Sequence, residues 1–142
     1  MESTAPGLAP LPVTALYASL LALLFLLLSV RVVLGRAGPG RPSLGDGGDP
    51  AMLRRIRGHA NFAEYVPLAV ILIALLEGMG VPRWELHALG GALLAGRVLH
   101  GYALSFTSSF VFGRSAGIGL TFTVLAVAAL HALWIALVRL SL

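Results

Sequence analysis

RRIRGHANFAEYVPLAVILIALLE, residues Arg54 to Glu77, decides what kind of protein this is. The segment opens on arginines, passes through an amide and a carboxylate, and then runs apolar almost to its end. On one helix Arg57, Asn61, Glu64 and Leu68 stand at offsets of 0, 4, 7 and 11, which share a face. One stripe therefore carries a cation, an amide and a carboxylate into a segment otherwise fit for hydrocarbon. Polar groups at that depth require partners, and ionisable ones mark functional sites by default.

Composition points the same way. The chain has 142 residues, of which 58% are hydrophobic and 11% charged, against about 25% charged in a soluble domain. It has no cysteine, hence no disulfide, thiol nucleophile or thiolate metal site. All ten basic residues are arginines, and most lie beside or within apolar stretches. With neither a clustered basic face nor a reading motif, no nucleic-acid binding is expected. Residues 1–10 hold Glu2, two prolines and no basic residue, so the charged start of a signal peptide is missing. The apolar run that follows reads as a membrane span.

Four spans are predicted in a single membrane domain, at about 13–34, 51–77, 85–106 and 115–138, each long enough for about 30 Å of hydrocarbon. The fold class is an all-α integral membrane protein, an antiparallel four-helix transmembrane bundle. Arg31, near the end of the first span, either snorkels to headgroups or turns inward to an anion. Residues 35–52 are rich in glycine and proline and form a loop; Asp49 is placed to cap the second helix, with Pro50 at its first position. Pro67 predicts a kink or a freed Ala63 carbonyl. In the third span Gly91/Ala95 and Ala92/Gly96 are small-residue pairs suited to close helix packing, while Arg97, His100 and Leu104 share a face. Residues 107–114 are read as the third link, with Arg114 and Ser115 at the start of the fourth span, where a helix N-terminus favours anions.

Arginines surround links one and three, so the positive-inside rule places those links in the cytoplasm and both termini on the opposite side. Several arginines and one carboxylate at one end suit a polyanionic ligand. Metalloprotease and serine-elbow motifs are absent and the four histidines are scattered, so no bound metal is expected. The glycine-rich loop lacks the lysine and spacing of a phosphate loop.

The segment RGHANFAEYVPL resembles the signature of the MAPEG family, the membrane-associated proteins of eicosanoid and glutathione metabolism, through Arg57, Asn61, Glu64, Tyr65 and Pro67. GRVLHGYALS at Gly96–Ser105 is similar to the family's third helix and GRSAGIGLT at Gly113–Thr121 to the start of its fourth; the SLGDGG loop resembles the bacterial branch. The resemblance implies a homotrimer with glutathione as co-substrate between subunits, toward the cytoplasmic side of a bacterial inner membrane. It implies that Arg57, Asn61, Glu64 and Tyr65 line the glutathione site, reached by Arg31 from the first helix and by Arg97 and His100 from the third. Arg114 is implied as the catalytic thiolate stabiliser, with Ser115 beside it. A cation and a helix terminus both favour S⁻ over SH.

The implied reaction is a glutathione-dependent transfer to a lipophilic electrophile, or reduction of a lipid peroxide, with substrate arriving through membrane lipid. Leu104 stands where the family's best-studied enzymes often carry tyrosine, and the third link has Arg114 alone where eukaryotic members cluster arginines. Both departures weigh against a leukotriene- or prostaglandin-forming activity. The alternative is a non-catalytic membrane protein that binds glutathione, another thiol or a lipid. A transporter is disfavoured because the chain has no internal repeat.

Overall fold

Asp49 and Pro50 start the second helix as their order predicts. The Asp49 carboxylate accepts the Ala51 N–H at 2.8 Å and Pro50 occupies the first turn. In this computed structural model, which describes residues 10–142, the helices are α1 (Pro12–Arg36), α2 (Pro50–Gly78), α3 (Arg83–Ser105) and α4 (Val111–Leu140). The signal-peptide reading falls on residues that lie almost wholly outside the described range. The hydrogen bond from Ala51 holds the Asp49 carboxyl below its ordinary value. Its capping contribution is therefore complete above the unfolded carboxylate pKa and is lost only as pH falls through the lower folded value.

α1 begins without a side-chain cap of its own. Glu77, at the far end of α2, supplies one: its carboxylate accepts the Val13 N–H at 2.9 Å and the Thr14 N–H at 2.7 Å. Those N–H groups have no partner within α1, and the helix dipole favours an anion there. At the opposite end of the bundle Arg31 Nη2 donates to the Ser105 carbonyl at 2.7 Å. The end of α1 thus meets the end of α3, so links one and three share one end, which carries Arg31, Arg36, Arg41, Arg54, Arg55, Arg57 and Arg114.

α2 and α3 form the centre. Each packs on both α1 and α4, whereas α1 and α4 do not touch each other. Leu21, Leu28, Phe62, Ile73, Leu86, Leu93 and Val124 are buried between them, while Leu23, Leu26 and Val33 on α1 and Leu130, Leu133 and Trp134 on α4 face outward. Among the described residues, only α1, α2 and α4 are both long and apolar enough to cross a membrane by composition. α3 has 23 residues, a sufficient length, but it carries Arg97 and His100, and these are buried against its neighbours. Protein, rather than hydrocarbon, surrounds those two side chains.

The closest helix approach is between α3 and α4. A Cβ on Gly117 would sit 2.6 Å from the Gly96 carbonyl oxygen and 2.7 Å from the His100 backbone nitrogen. Gly96 of the predicted Ala92/Gly96 pair takes part in it; of the other pair Ala95 is exposed and Gly91 has nothing nearer than the Tyr17 hydroxyl at 3.6 Å. Gly90 makes another close contact, beneath the ring of Tyr17, whose hydroxyl lies 3.2 Å from His87 Nδ1. At the same end His131 Nδ1 is 2.6 Å from Glu85 Oε1, tying α4 to α3.

α4 starts at Val111, earlier than the expected 115. Neither Ser108 nor Ser109 caps it; Phe110 stands at the cap without a side-chain hydrogen bond. Arg114 therefore belongs to the first turn of α4 rather than to the link. Gly117→Ala should lower the stability of the detergent-solubilised chain by about 1–3 kcal/mol through overpacking. Gly119→Ala, where a Cβ meets nothing within 4 Å, should be neutral or stabilising, and thermal unfolding of the two variants checks the difference.

Candidate functional site

The polar stripe of α2 opens onto a pocket of about 300 Å³ lined by Leu53, Arg54, Arg57, Asn61, His100, Leu104 and Arg114. Three helices build it. α2 contributes Leu53 to Asn61 in its first three turns, α3 contributes His100 and Leu104 one turn apart, and α4 contributes Arg114 from its first turn. Three guanidinium groups meet there and no carboxylate is among the lining residues. The field is positive and the donors outnumber the acceptors, which fits an anion rich in carboxylate oxygens.

Asn61 is fixed from behind. Arg97 Nη1 donates to Asn61 Oδ1 at 2.9 Å, which commits the amide oxygen and leaves the amide N–H₂ free. Arg97 is 1% exposed and does not line the pocket. His100 Nδ1 lies 3.1 Å from the Arg114 backbone carbonyl. A carbonyl oxygen only accepts, so Nδ1 carries the hydrogen, and Nε2 of the neutral ring is the nitrogen able to accept one. The same contact holds the first turn of α4, and with it Arg114, against α3.

Ser115 lines a second recess of about 210 Å³ with Val111 and Ile118, and this recess shares His100 and Arg114 with the first. Arg114 is exposed and stands between the two. Of the predicted site residues, then, Arg57, Asn61, His100, Arg114 and Ser115 come together, with Arg97 behind them. Glu64 is exposed on the outer side of α2, and Tyr65 packs edge-on to Phe122 of α4, ring centres 5.4 Å apart. Neither lines the pocket of its own chain. Arg31 lines a different cavity. Tyr102 stacks on Phe106 on another face from Leu104, so no tyrosine replaces the hydroxyl missing there.

Arg54 was not foreseen as a lining residue, although the signal was present: it stands three residues before Arg57 and seven before Asn61, on the same stripe. A larger groove of about 370 Å³ runs between α1 and α2, bounded by residues such as Phe25, Phe62, Ala63, Pro67 and Ile71. It is apolar, and it puts Pro67 on an open face rather than in a packed helix contact.

The sequence matches the MAPEG family over residues 14–134. The chain is a member of that family. It is similar to the inner membrane protein YecN of Escherichia coli K12, with 38% identity over 122 residues, covering 86% of this chain and 91% of that protein. The same protein of Escherichia coli O6:H1 matches to the same extent. No solved structure matches it. The matched region contains every residue that lines the pocket of this MAPEG member.

The absence of native cysteine makes the pocket open to direct mapping. Arg57→Cys and Asn61→Cys should react with a small water-soluble thiosulfonate, whereas Leu68→Cys, on the apolar continuation of the stripe, should react at least about tenfold more slowly because its thiolate is disfavoured away from water. Labelling rates in membranes measure this.

Proposed function

We propose that this MAPEG member binds glutathione, or a comparable small acidic thiol, in the pocket of Arg57, Asn61, His100 and Arg114. The observation that carries the reading is the convergence of Arg54, Arg57 and Arg114 on one cavity without a carboxylate among its lining residues. The donor set fits a tripeptide with two carboxylates: guanidinium forks take carboxylate oxygens pairwise and the Asn61 amide donates a neutral hydrogen bond. Glu64, exposed on α2, is available to a neighbouring subunit of a trimer or to the thiol's ammonium across that interface.

In this reading Arg114 faces the sulfur. Its charge and the first turn of α4 stabilise S⁻ relative to SH, and His100 Nε2 is the acceptor placed to take the proton. In a transfer reaction the sulfur lone pair forms a C–S bond while the electrophile's displaced pair leaves with its leaving group or is protonated. In peroxide reduction two thiols become one disulfide as the peroxide becomes an alcohol and water. The chain contributes position and charge stabilisation. The apolar groove along α1 and α2 offers a lipophilic co-substrate a path from the bilayer. The location follows the E. coli relative, an inner membrane protein, and the arginine-rich end is assigned to the cytoplasm.

Leu104 in the pocket wall favours a second reading, binding without turnover, because it offers no hydroxyl to developing charge. One preparation separates the two. Glutathione added to purified protein should show thiolate absorbance at a pH at least about one unit below that of a free thiol near 8.5. Arg114→Ala should abolish that shift, and Arg57→Ala with Asn61→Ala should abolish binding in calorimetry. Conjugation of an aromatic electrophile, lost with Arg114→Ala, supports the enzyme; a shifted thiol with no conjugation or peroxide reduction supports the binder. Binding that survives the double substitution contradicts the pocket.

A further inference from the structure

The family resemblance puts Arg31 beside the thiol, but the fold carries it to a separate cavity of about 290 Å³ at the same end of the bundle. This cavity lies where α1, the first turns of α2 and the third link meet. Arg31, Arg54 and Arg55 surround it, with Ser105 and Ser108 on the remaining side and no carboxylate in the lining. Like charges around one cavity repel one another unless an anion lies between them.

The Arg31 side of the cavity is held in place. The Arg31 guanidinium does not sweep freely: Nη2 is bonded to the Ser105 carbonyl at 2.7 Å, and the group lies 3.7 Å from the centre of the Phe106 ring. Ser105, only 6% exposed, packs its hydroxyl against Gly58 of α2, which fixes the carbonyl that holds Arg31. Guanidinium forks and hydroxyls together suit the tetrahedral oxygens of a phosphate.

The surroundings favour a lipid as the source of that phosphate. Arg31 lies five residues before the end of α1, at headgroup depth for a spanning helix. Leu27, Leu24 and Leu20 precede it by four, seven and eleven residues, on the same helix face. Leu20 and Leu27 are 40% and 48% exposed, and Leu24 is half-buried. A headgroup held by Arg31 would therefore have an apolar track for its acyl chains directly below.

We propose that this cavity is a headgroup site for an anionic phospholipid, separate from the thiol pocket. The two cavities share a wall at Arg54 and Leu104 but nothing else: Arg31, Arg55 and Ser105 line only the one, and Arg57, Asn61, His100 and Arg114 only the other. The site does not depend on what the thiol pocket binds.

Native mass spectrometry of the full chain, released from detergent with equal amounts of phosphatidylglycerol and phosphatidylcholine of matched acyl chains, tests it. Phosphatidylglycerol should be retained preferentially, and Arg55→Gln or Arg31→Gln should each cut that preference about fivefold. Arg55→Gln serves if loss of the Arg31–Ser105 contact prevents folding. Arg41→Gln, which removes the same charge from an exposed loop position at that end, should leave the preference unchanged, as should Arg114→Ala. Equal weakening by Arg41→Gln and Arg55→Gln would reduce the effect to surface charge and overturn the site. Retention of inorganic phosphate in an Arg55-dependent manner, without headgroup preference, would assign the cavity to soluble phosphate and overturn the lipid. Thiol binding measured on the same variants keeps the two pockets apart.

Discussion

A cation in the middle of a membrane bundle has to be held by something, and here Asn61 holds it. Arg97 is almost wholly buried; Nη1 bonds the Asn61 amide 2.9 Å away, its one side-chain partner, while Nε and Nη2 have none. Burying a guanidinium is costly unless it is hydrogen-bonded, so α2 and α3 are constrained to the register that makes this contact. That register sets the pocket. It turns Asn61 and Arg57 toward α3, and the Gly96–Gly117 approach brings α4 close enough for His100 to take hold of the Arg114 carbonyl.

The architecture separates the two solvents of the chain. α1 and α4 never meet and present apolar outer faces. α2 and α3 lie between them and carry the polar groups inward. This is why α3 can be the least apolar helix without being unstable in a bilayer: its charge and its imidazole are solvated by neighbours. The two ends are also unlike. One is fastened by Glu77 on the start of α1 and by the Glu85–His131 contact, with both carboxylates engaged. The other gathers arginines around cavities with no carboxylate in their walls. The first end is built to hold the helices together, and the second has charge left over for a ligand.

Much of this was legible in the residues. Asp49-Pro50 marked the start of α2, hydrophobic length marked the spans, and the spacing of Arg57 and Asn61 marked the stripe. Family membership was readable from the same motif. The sequence could not show which neighbours complete the stripe, because that depends on helix rotation. Glu64 is three residues from Asn61 and so about 60° round the helix, enough to turn it outward while Asn61 faces α3. Arg31 is equally consistent with either of two cavities until the ends of α1 and α3 are seen to meet. The start of α4 was misplaced because Val111 and Phe112 look like link residues when no side-chain cap announces the helix. Glu77 as a cap for α1 depends on a contact 64 residues distant and leaves no local signal.

The most direct test of the account is the coupling between Arg97 and Asn61. Reversible unfolding of the detergent-solubilised chain, measured for Arg97→Met, Asn61→Leu and the double variant, gives it as a double-mutant cycle. The account predicts a coupling of about 1 kcal/mol or more, with the double variant less damaged than the two single losses combined. Losses that add to within about 0.3–0.5 kcal/mol would mean that the two side chains do not depend on each other, and that the register of α2 on α3 is set by something else.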